Sequence, residues 1–313
     1  MIRLLRAGIR RYFSNIIFWI AVILTLGLSV LMSYQARNAF YDDGLVIGQM
    51  MINAIMISWI IGREYKDGVF RNKIIIGHTR ENIFMSELIL AIGFTLVMYF
   101  IGAIIYLVFN NYQIPLIPAS VMIKMTIDYV LSNMVLTAFL VTTSYLLSHQ
   151  VVVIVVNILV ILGMFIVVTP LQVGLSQSQH IEMYETVNTE WIDDDGNIRY
   201  KEVKVEGSEY LVENPSYVDG IKRIAYEFVV NVAPYGHLYE YAEFSIDWFG
   251  YDVWINNPTE GLTGEEQWQL IIEDNVITDD YLKNLDINLI YSCITLLVIS
   301  SIGYIGFRKK EMK

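Results

Sequence analysis

The stretch VVVIVVNILVILGMFIVVTPLQV, Val151–Val173, contains no Asp, Glu, Lys or Arg. A helix of roughly 20 apolar residues is long enough to cross the hydrocarbon core of a bilayer, so this stretch is predicted to span a membrane. Five other stretches have a comparable length and apolar character: Ile16–Ser33, Gly44–Ile61, Leu88–Phe109, Met125–Leu147 and Ile287–Phe307. We therefore expect a mainly α-helical protein built on a bundle of six transmembrane helices.

The charge of the chain is distributed unevenly. Hydrophobic residues make up 55% of the sequence, and the net charge is −11. Gly174–Asn284 contains 23 acidic and 6 basic residues, a local charge of −17, which leaves +6 for the rest. A nucleic-acid partner is not expected, because no basic groove accompanies the acidic segment. Cys293 is the only cysteine, so an internal disulfide is excluded.

The positions of Lys and Arg in the short loops predict the orientation of the spans, because positively charged flanks are retained in the cytoplasm. Basic residues are concentrated in 1–15, in the loop 62–87 and after the last span. Both termini are therefore predicted to be cytoplasmic in a multi-pass protein of the plasma membrane, with Gly174–Asn284 outside. The first apolar run is interpreted as an uncleaved span rather than a signal peptide.

The acidic segment 174–284 is predicted to be an α+β extracellular domain between the fifth and sixth spans. Two β-rich runs, Tyr184–Ile192 and Ile198–Val205, flank Asp193–Asn197, whose Asp and Gly residues favour a hairpin turn. Asp219–Val232 has apolar residues at helical spacing. Tyr235–Trp254 is rich in aromatic residues, which is typical of a segment at the headgroup level. Thr263–Glu266 has the spacing of a capping box, which predicts a further helix.

The loop after the second span, GREYKDGVFRNKIIIGHTRENIFMSE (62–87), is the most informative segment. Asp67 is predicted to cap a short helix that ends at Gly77, and Thr79 to cap the next helix. The apolar side chains of this short helix, Val69, Phe70 and Ile74–Ile76, are suited to a groove on a partner protein. A helix resting on anionic lipid is an equally open interpretation.

The runs EYKDGVFRNK (64–73), GHTR (77–80) and IFMS (83–86) resemble the loop after the second span in type-2 ATP-binding-cassette exporter permeases. In that family the loop contains the coupling helix that is seated on the ATPase. Val69 stands where Thr is common. The layout is similar too, with an amphipathic helix at 1–15, a tight hairpin at Ser148–Gln150 and a re-entrant segment at Pro234-Tyr235-Gly236 before a sixth span and basic tail at 285–313.

This resemblance implies a transport subunit that has no ATPase site of its own, and the sequence contains no phosphate-binding loop. ATP would be bound by a separate ATPase subunit, and a second permease, either a copy or a paralogue, would complete the exporter. The acidic outer segment favours a peptide or amphipathic cargo. The resemblance assigns ATPase coupling to seven residues: Glu64, Asp67, Val69, Phe70, Arg71, Lys73 and Arg80.

Polar side chains inside the spans are candidates for the translocation path or for a dimer interface, because they are costly in lipid. They are Gln49 and Asn53 on the second span and Asn157 on the fifth. Interhelical hydrogen bonding is the alternative. Lys124 and Asp128 are spaced i, i+4, which favours a local ion pair over a proton relay.

No metal site or catalytic centre is expected. Asp193, Asp195 and Glu202 match part of a calcium loop, but Trp191 occupies the first ligand position. His237 with Glu240 and Glu243 lacks the zinc motif His-Glu-x-x-His. The alternative function is a non-transporting membrane sensor or immunity protein whose outer domain binds a cationic peptide.

Overall fold

The computed structural model describes residues 1–35, 43–109, 119–147, 149–183, 185–192, 198–205, 208, 210–238 and 279–310 of the 313-residue chain. The helices in these ranges are α1 (Ile2–Ser14), α2 (Ile16–Gln35), α3 (Asp43–Lys66), α4 (Val69–Ile75), α5 (Arg80–Phe109), α6 (Ala119–Leu146), α7 (Gln150–Leu175), α8 (Gly220–Val232) and α9 (Asp279–Lys309). The strands are β1 (His180–Met183), β2 (Thr186–Ile192), β3 (Ile198–Lys204) and β4 (Tyr210–Glu213).

Six of these helices are long and apolar enough to cross a membrane, namely α2, α3, α5, α6, α7 and α9. The prediction of six membrane-length helices is confirmed, and the chain is a mainly helical, multi-pass membrane protein. Within the described ranges, every span contains at most two charged residues in its most apolar window of 18 residues. Such windows can lie in hydrocarbon because the helix satisfies its own backbone hydrogen bonds.

The amphipathic helix α1 lies against the start of α5. Leu4, Gly8 and Tyr12 recur at intervals of four residues and are buried, and the Tyr12 ring stacks on Phe94 with 4.4 Å between ring centroids. Asn15 then separates α1 from α2, because its backbone is extended and its Oδ1 accepts a hydrogen bond from the backbone N–H of Ile17 at 3.0 Å.

Two glycines allow α9 to approach α6 closely. A β-carbon on Gly303 would lie 2.3 Å from Thr142 Oγ1, and one on Gly306 would lie 2.4 Å from a methyl of Leu146. Small residues have this role in membrane helices, because packing and hydrogen bonding replace the hydrophobic effect there. The hydroxyl of Thr142 also donates to the backbone carbonyl of Ile299 at 3.3 Å.

Contacts of α1, α4, α5 and α9 place both ends of the described chain at one end of the bundle. Arg11 of α1 and Lys73 of α4 both bond to the carboxylate of Glu87. Arg80 donates hydrogen bonds to backbone carbonyls at the end of α9. We call this the α4 end. The connection from α6 to α7 is also at this end, since a β-carbon on Gly62 of α3 would lie 2.9 Å from the Cα of Gln150.

Residues 170–228 form a second compact unit, and residues 1–169 and 229–313 group together in the first. In the second unit, β2 pairs with β3 in antiparallel register from Thr186–Lys204 to Ile192–Ile198, and β1 pairs with β4. The strands β2 and β3 fall on the two predicted β-rich runs, and α8 falls on the predicted helical segment. The α+β extracellular domain itself stays a prediction. The turn Asp193–Asn197, the capping box Thr263–Glu266 and most of Tyr235–Trp254 lie outside the described residues.

The membrane orientation remains a prediction, and cysteine labelling tests it. In a Cys293→Ser background, a cysteine at Glu213 is expected to react with a membrane-impermeant maleimide in intact cells. A cysteine at Ile76, which is 77% exposed, is expected to react only after permeabilisation. Labelling of the Ile76 position in intact cells would reverse the predicted orientation.

Candidate functional site

The loop 62–87 is built around two glycines in the left-handed region. Gly68 (φ 67°) precedes α4, and Gly77 (φ 96°) follows it. Residues other than glycine rarely adopt these backbone φ angles. The predicted cap at Thr79 is confirmed, because its Oγ1 accepts a hydrogen bond from the N–H of Asn82 at 3.2 Å. The predicted cap at Asp67 is wrong. Gly68 is the N-cap residue, and Asp67 pairs instead with Arg63 at 3.2 Å.

Four charged side chains from four helices meet beside α4, and we call them the charge cluster: Arg11 (α1), Glu64 (α3), Lys73 (α4) and Glu87 (α5). The ammonium of Lys73 donates to Glu64 Oε2 at 3.0 Å and to Glu87 Oε1 at 2.9 Å. The guanidinium of Arg11 donates to both oxygens of Glu87, at 2.7 and 2.8 Å, and it also pairs with Glu64. The cluster carries no net charge.

The charge cluster is largely shielded from solvent. The side chains of Glu64 and Glu87 are 4% and 2% exposed, and that of Lys73 is 14% exposed. Desolvation lowers the pKa of Lys73, and Arg11 acts in the same direction, while the attraction of Glu87 opposes both. Burial also raises the pKa of the neighbouring Tyr12, which keeps its phenol neutral. The cluster therefore ties α1 and α4 to two membrane spans.

Phe70 anchors α4 from the other side. It is 1% exposed and packs against three aromatic rings, with centroid distances of 4.7 Å to Tyr65, 5.1 Å to Tyr145 and 6.1 Å to Phe307. Phe84 joins the same group through Tyr145 at 5.3 Å. Phe70 therefore connects α4 directly to three membrane-spanning helices, α3, α6 and α9, and through Tyr145 to Phe84 of α5.

The expectation that Phe70 fits a groove on a partner is therefore wrong. Burial of the aromatic ring within the chain's own core leaves a different surface for a partner. Ile75 and Ile76 are 71% and 77% exposed at the end of α4, and Arg71 is exposed on the same helix. Val69 is half-buried. The surface that α4 presents thus contains a pair of isoleucines beside Arg71 and Asn72.

Arg80 and Lys310 donate hydrogen bonds to the last backbone carbonyls of two membrane helices. Arg80 Nη1 donates to the backbone carbonyls of Phe307, Arg308 and Lys310 at 3.3, 2.8 and 2.6 Å. Lys310 Nζ donates to the carbonyls of Tyr145 and Leu146 at 2.8 and 3.1 Å. The last carbonyls of a helix have no partner within it, so these cations satisfy α9 and α6 respectively.

The polar residues of the spans lie inside the bundle of one chain. Asn157 donates to Ser58 Oγ at 2.7 Å and accepts from the hydroxyl of Thr143, which links α7 to α3 and α6. Gln49 and Asn53 are 5% and 1% exposed. Asn157 therefore forms interhelical hydrogen bonds. A role in translocation stays a prediction for Gln49, Asn53 and Asn157.

The predicted pair of Lys124 with Asp128 is wrong. Lys124 bonds to Asp286 of α9 at 2.7 Å, whereas Asp128 is fully buried and faces His237. Among the described residues no group of His, Cys, Asp and Glu is arranged to hold a metal ion. Glu240 and Glu243, weighed as zinc ligands with His237, lie outside the described residues.

Sequence reasoning did not identify Arg11 and Glu87 as members of a site. Both belonged to regions already assigned other roles, a basic N-terminal flank and the margin of the third span. A signal was available for Glu87, since an ionisable residue at the edge of a span needs a partner. Neither spacing nor composition indicates that one of the two partners of Glu87 is 76 residues away in α1.

No protein-family model matches the chain, and no curated protein or solved structure matches it either.

Proposed function

We propose that the chain is the permease subunit of an ATP-binding-cassette exporter, and that α4 is its contact with a separate ATPase. The observation that carries this proposal is the contrast between the two sides of α4. Phe70 and Lys73 fix the helix to the membrane spans, while Ile75 and Ile76 project from it. The resemblance of residues 64–86 to the coupling loop supports the same function.

This arrangement is suited to the transfer of motion. A force on Ile75 or Ile76 reaches α3, α5 and α1 through the charge cluster, because Lys73 bonds directly to Glu64 and Glu87. It reaches α6 and α9 through Phe70, which packs on Tyr145 and Phe307. Packed interfaces convey displacement because they are close to incompressible. A short helix held on both sides moves with the spans.

The exposed side chains of Ile75 and Ile76 favour a partner that buries them over contact with water. Fully exposed isoleucine gains free energy when it is buried, about 1.5–3 kcal/mol per side chain. Arg71 adds a guanidinium that can form bidentate hydrogen bonds with an acidic partner. A lipid surface offers burial too, so the test below separates the two occupants.

ATP hydrolysis associated with the purified chain tests the proposal. The full-length tagged chain, isolated from its own membranes in mild detergent, is expected to carry vanadate-sensitive ATP hydrolysis. Ile76→Asp is expected to lower this activity at least about fivefold, since loss of one well-buried contact corresponds to roughly 1–2 kcal/mol. Asn72→Asp, which adds the same charge at an exposed position of α4, is the matched control and is expected to stay within about twofold.

Two outcomes contradict the proposal. Hydrolysis that is equal in the wild type and in Ile76→Asp would show that α4 is not the ATPase contact. A wild-type chain that carries no vanadate-sensitive hydrolysis would contradict the ATPase contact and favour the lipid surface as the occupant of α4.

The second permease and the cargo of the exporter are also proposals. A second permease, either a copy or a paralogue, would complete a twelve-span exporter. An acidic segment of −17 facing outward would favour a cationic or amphipathic cargo, such as a peptide, through its long-range field.

A further inference from the structure

A second buried polar group lies far from the charge cluster. Asp128 precedes Tyr145 by 17 residues on α6, which corresponds to about 25 Å at 1.5 Å per residue. Tyr145 belongs to the α4 end of the bundle, so Asp128 lies towards the opposite end. Asp128 is 0% exposed, and His237 and Ser292 beside it are each 3% exposed.

Both ring nitrogens of His237 face oxygen acceptors. Nδ1 is 3.2 and 3.3 Å from the two carboxylate oxygens of Asp128, and Nε2 is 2.7 Å from the backbone carbonyl of Asn231. A backbone carbonyl can only accept a hydrogen bond, so Nε2 must carry a proton. Ser292 Oγ, 3.4 Å from Asp128 Oδ1, donates to the same carboxylate.

This geometry determines how many protons the pair holds. With Nε2 protonated, the neutral ring would turn the lone pair of Nδ1 towards the carboxylate of Asp128, and two acceptors would face each other without a proton between them. One further proton removes this conflict, whether it belongs to His237 or to Asp128. The pair therefore holds one shared proton in addition to the proton on Nε2, and it then has no net charge.

The surroundings favour the protonated state. Asn231 lies in the last turn of α8, and the free carbonyls at a helix C-terminus stabilise a cation. The charged side chains closest in sequence to Asp128 on α6 and to Ser292 on α9 are Lys124 and Asp286, which form an exposed ion pair with each other. The buried phenol of Tyr129, next to Asp128, stacks on Tyr99 of α5. Without its shared proton the pair would carry a net negative charge, and the lone pair of His237 Nδ1 would face the carboxylate of Asp128. Both are strongly unfavourable away from water.

The segment that carries His237 is held close to the bundle by two other contacts. The ring of Tyr235 packs edge-on against Phe165 of α7, with 5.8 Å between centroids. Gly236 lies so near the backbone of Val230 that it has no room for a side chain. His237 supplies the link to α6, 109 residues away in the chain.

We propose that Asp128 and His237 form a proton-binding site that fastens residues 229–238 to α6. Binding of the shared proton docks this segment, and loss of the proton as the pH rises releases it. The site makes the docking of the segment sensitive to pH at the end of the bundle opposite the proposed ATPase contact. The inference stands independently of the proposed function, because docking is measurable without transport or ATP.

Hydrogen–deuterium exchange of the purified full-length chain tests the proposal. Protection of residues 229–238, corrected for the pH dependence of intrinsic exchange, is expected to fall at least tenfold between pH 6 and pH 9.5. Linkage to one proton predicts a decrease of up to tenfold per pH unit above the titration point. Peptides from residues 88–98 of α5 serve as an internal reference and are expected to show no such change.

Variants assign the change to the pair. The double variant Asp128→Asn with His237→Gln is expected to abolish the pH dependence of residues 229–238, because neither replacement side chain titrates. His180→Gln alters an exposed histidine and is expected to keep the wild-type dependence. The wild-type series alone decides the matter if a variant does not fold. A constant wild-type protection, a fall shared by residues 88–98, or a pH dependence retained in the double variant would overturn the proposal.

Discussion

Replacing Glu87 with Gln is expected to lower the free energy of unfolding by about 3–5 kcal/mol, the usual effect of removing one partner of a buried ion pair. Glutamine retains the size of the side chain and can still accept hydrogen bonds. It removes the charge, however, and leaves Arg11 and Lys73 opposed only by Glu64 in a site where the carboxylates are 4% exposed or less. Two cations, 26% and 14% exposed, then share one buried anion.

A second change should restore part of this stability. In Glu87→Gln with Lys73→Met, the cluster is neutral again because Arg11 faces Glu64 alone, and we expect at least half of the loss to be recovered. Reversible unfolding in mixed micelles gives the four free energies of the double-mutant cycle. Asp67→Asn, which disrupts the exposed pair with Arg63, is the control, with an expected loss within about 1 kcal/mol. A Glu87→Gln protein as stable as this control would contradict the role of the cluster.

Gly236→Ala is expected to displace residues 234–238 from the bundle. A β-carbon at Gly236 would lie 2.2 Å from the carbonyl oxygen of Val230 and 3.0 Å from its carbonyl carbon. These are backbone atoms, so no side-chain rotation relieves the overlap, and the segment must move. His237 then loses its contact with Asp128. Protection of residues 229–238 from hydrogen exchange is expected to fall by a factor of about 100, and the melting temperature should drop.

Another glycine provides the matched control for this substitution. Gly163 of α7 has no atom within 4 Å of where its β-carbon would lie, and alanine has the higher helix propensity, by up to about 1 kcal/mol in water. Gly163→Ala is therefore expected to be neutral or slightly stabilising. If Gly236→Ala behaved like Gly163→Ala, the close approach of Gly236 to Val230 would not constrain the segment.

The bundle was predictable because the signals that define it are local. A membrane span is recorded in some 20 consecutive residues, and all six helices were found where the apolar runs lie. The same applies to the strands β2 and β3, which lie close together in the sequence, and to the cap at Thr79, whose partner is three residues away.

The sites were harder to predict because their contacts are distant in sequence. Apolar positions of a membrane helix look alike whether they face lipid or protein, so nothing in the loop distinguished Phe70, which is buried, from Ile76, which is exposed. For Asp128, the i, i+4 rule suggested Lys124. The actual partner is His237, 109 residues further along, since a buried carboxylate takes the donor that the tertiary structure brings to it.

The hydrogen bonds of Arg80 carry a consequence for biosynthesis. The loop 62–87 leaves the ribosome early, but three of the acceptors of Arg80 are carbonyls of residues 307–310, which are made some 230 residues later. Lys310 likewise completes the end of α6 only then. A nascent chain that stops before residue 307 therefore lacks these acceptors of Arg80, and the last carbonyls of α6 lack Lys310, so the α4 end of the bundle is completed only by the last helix.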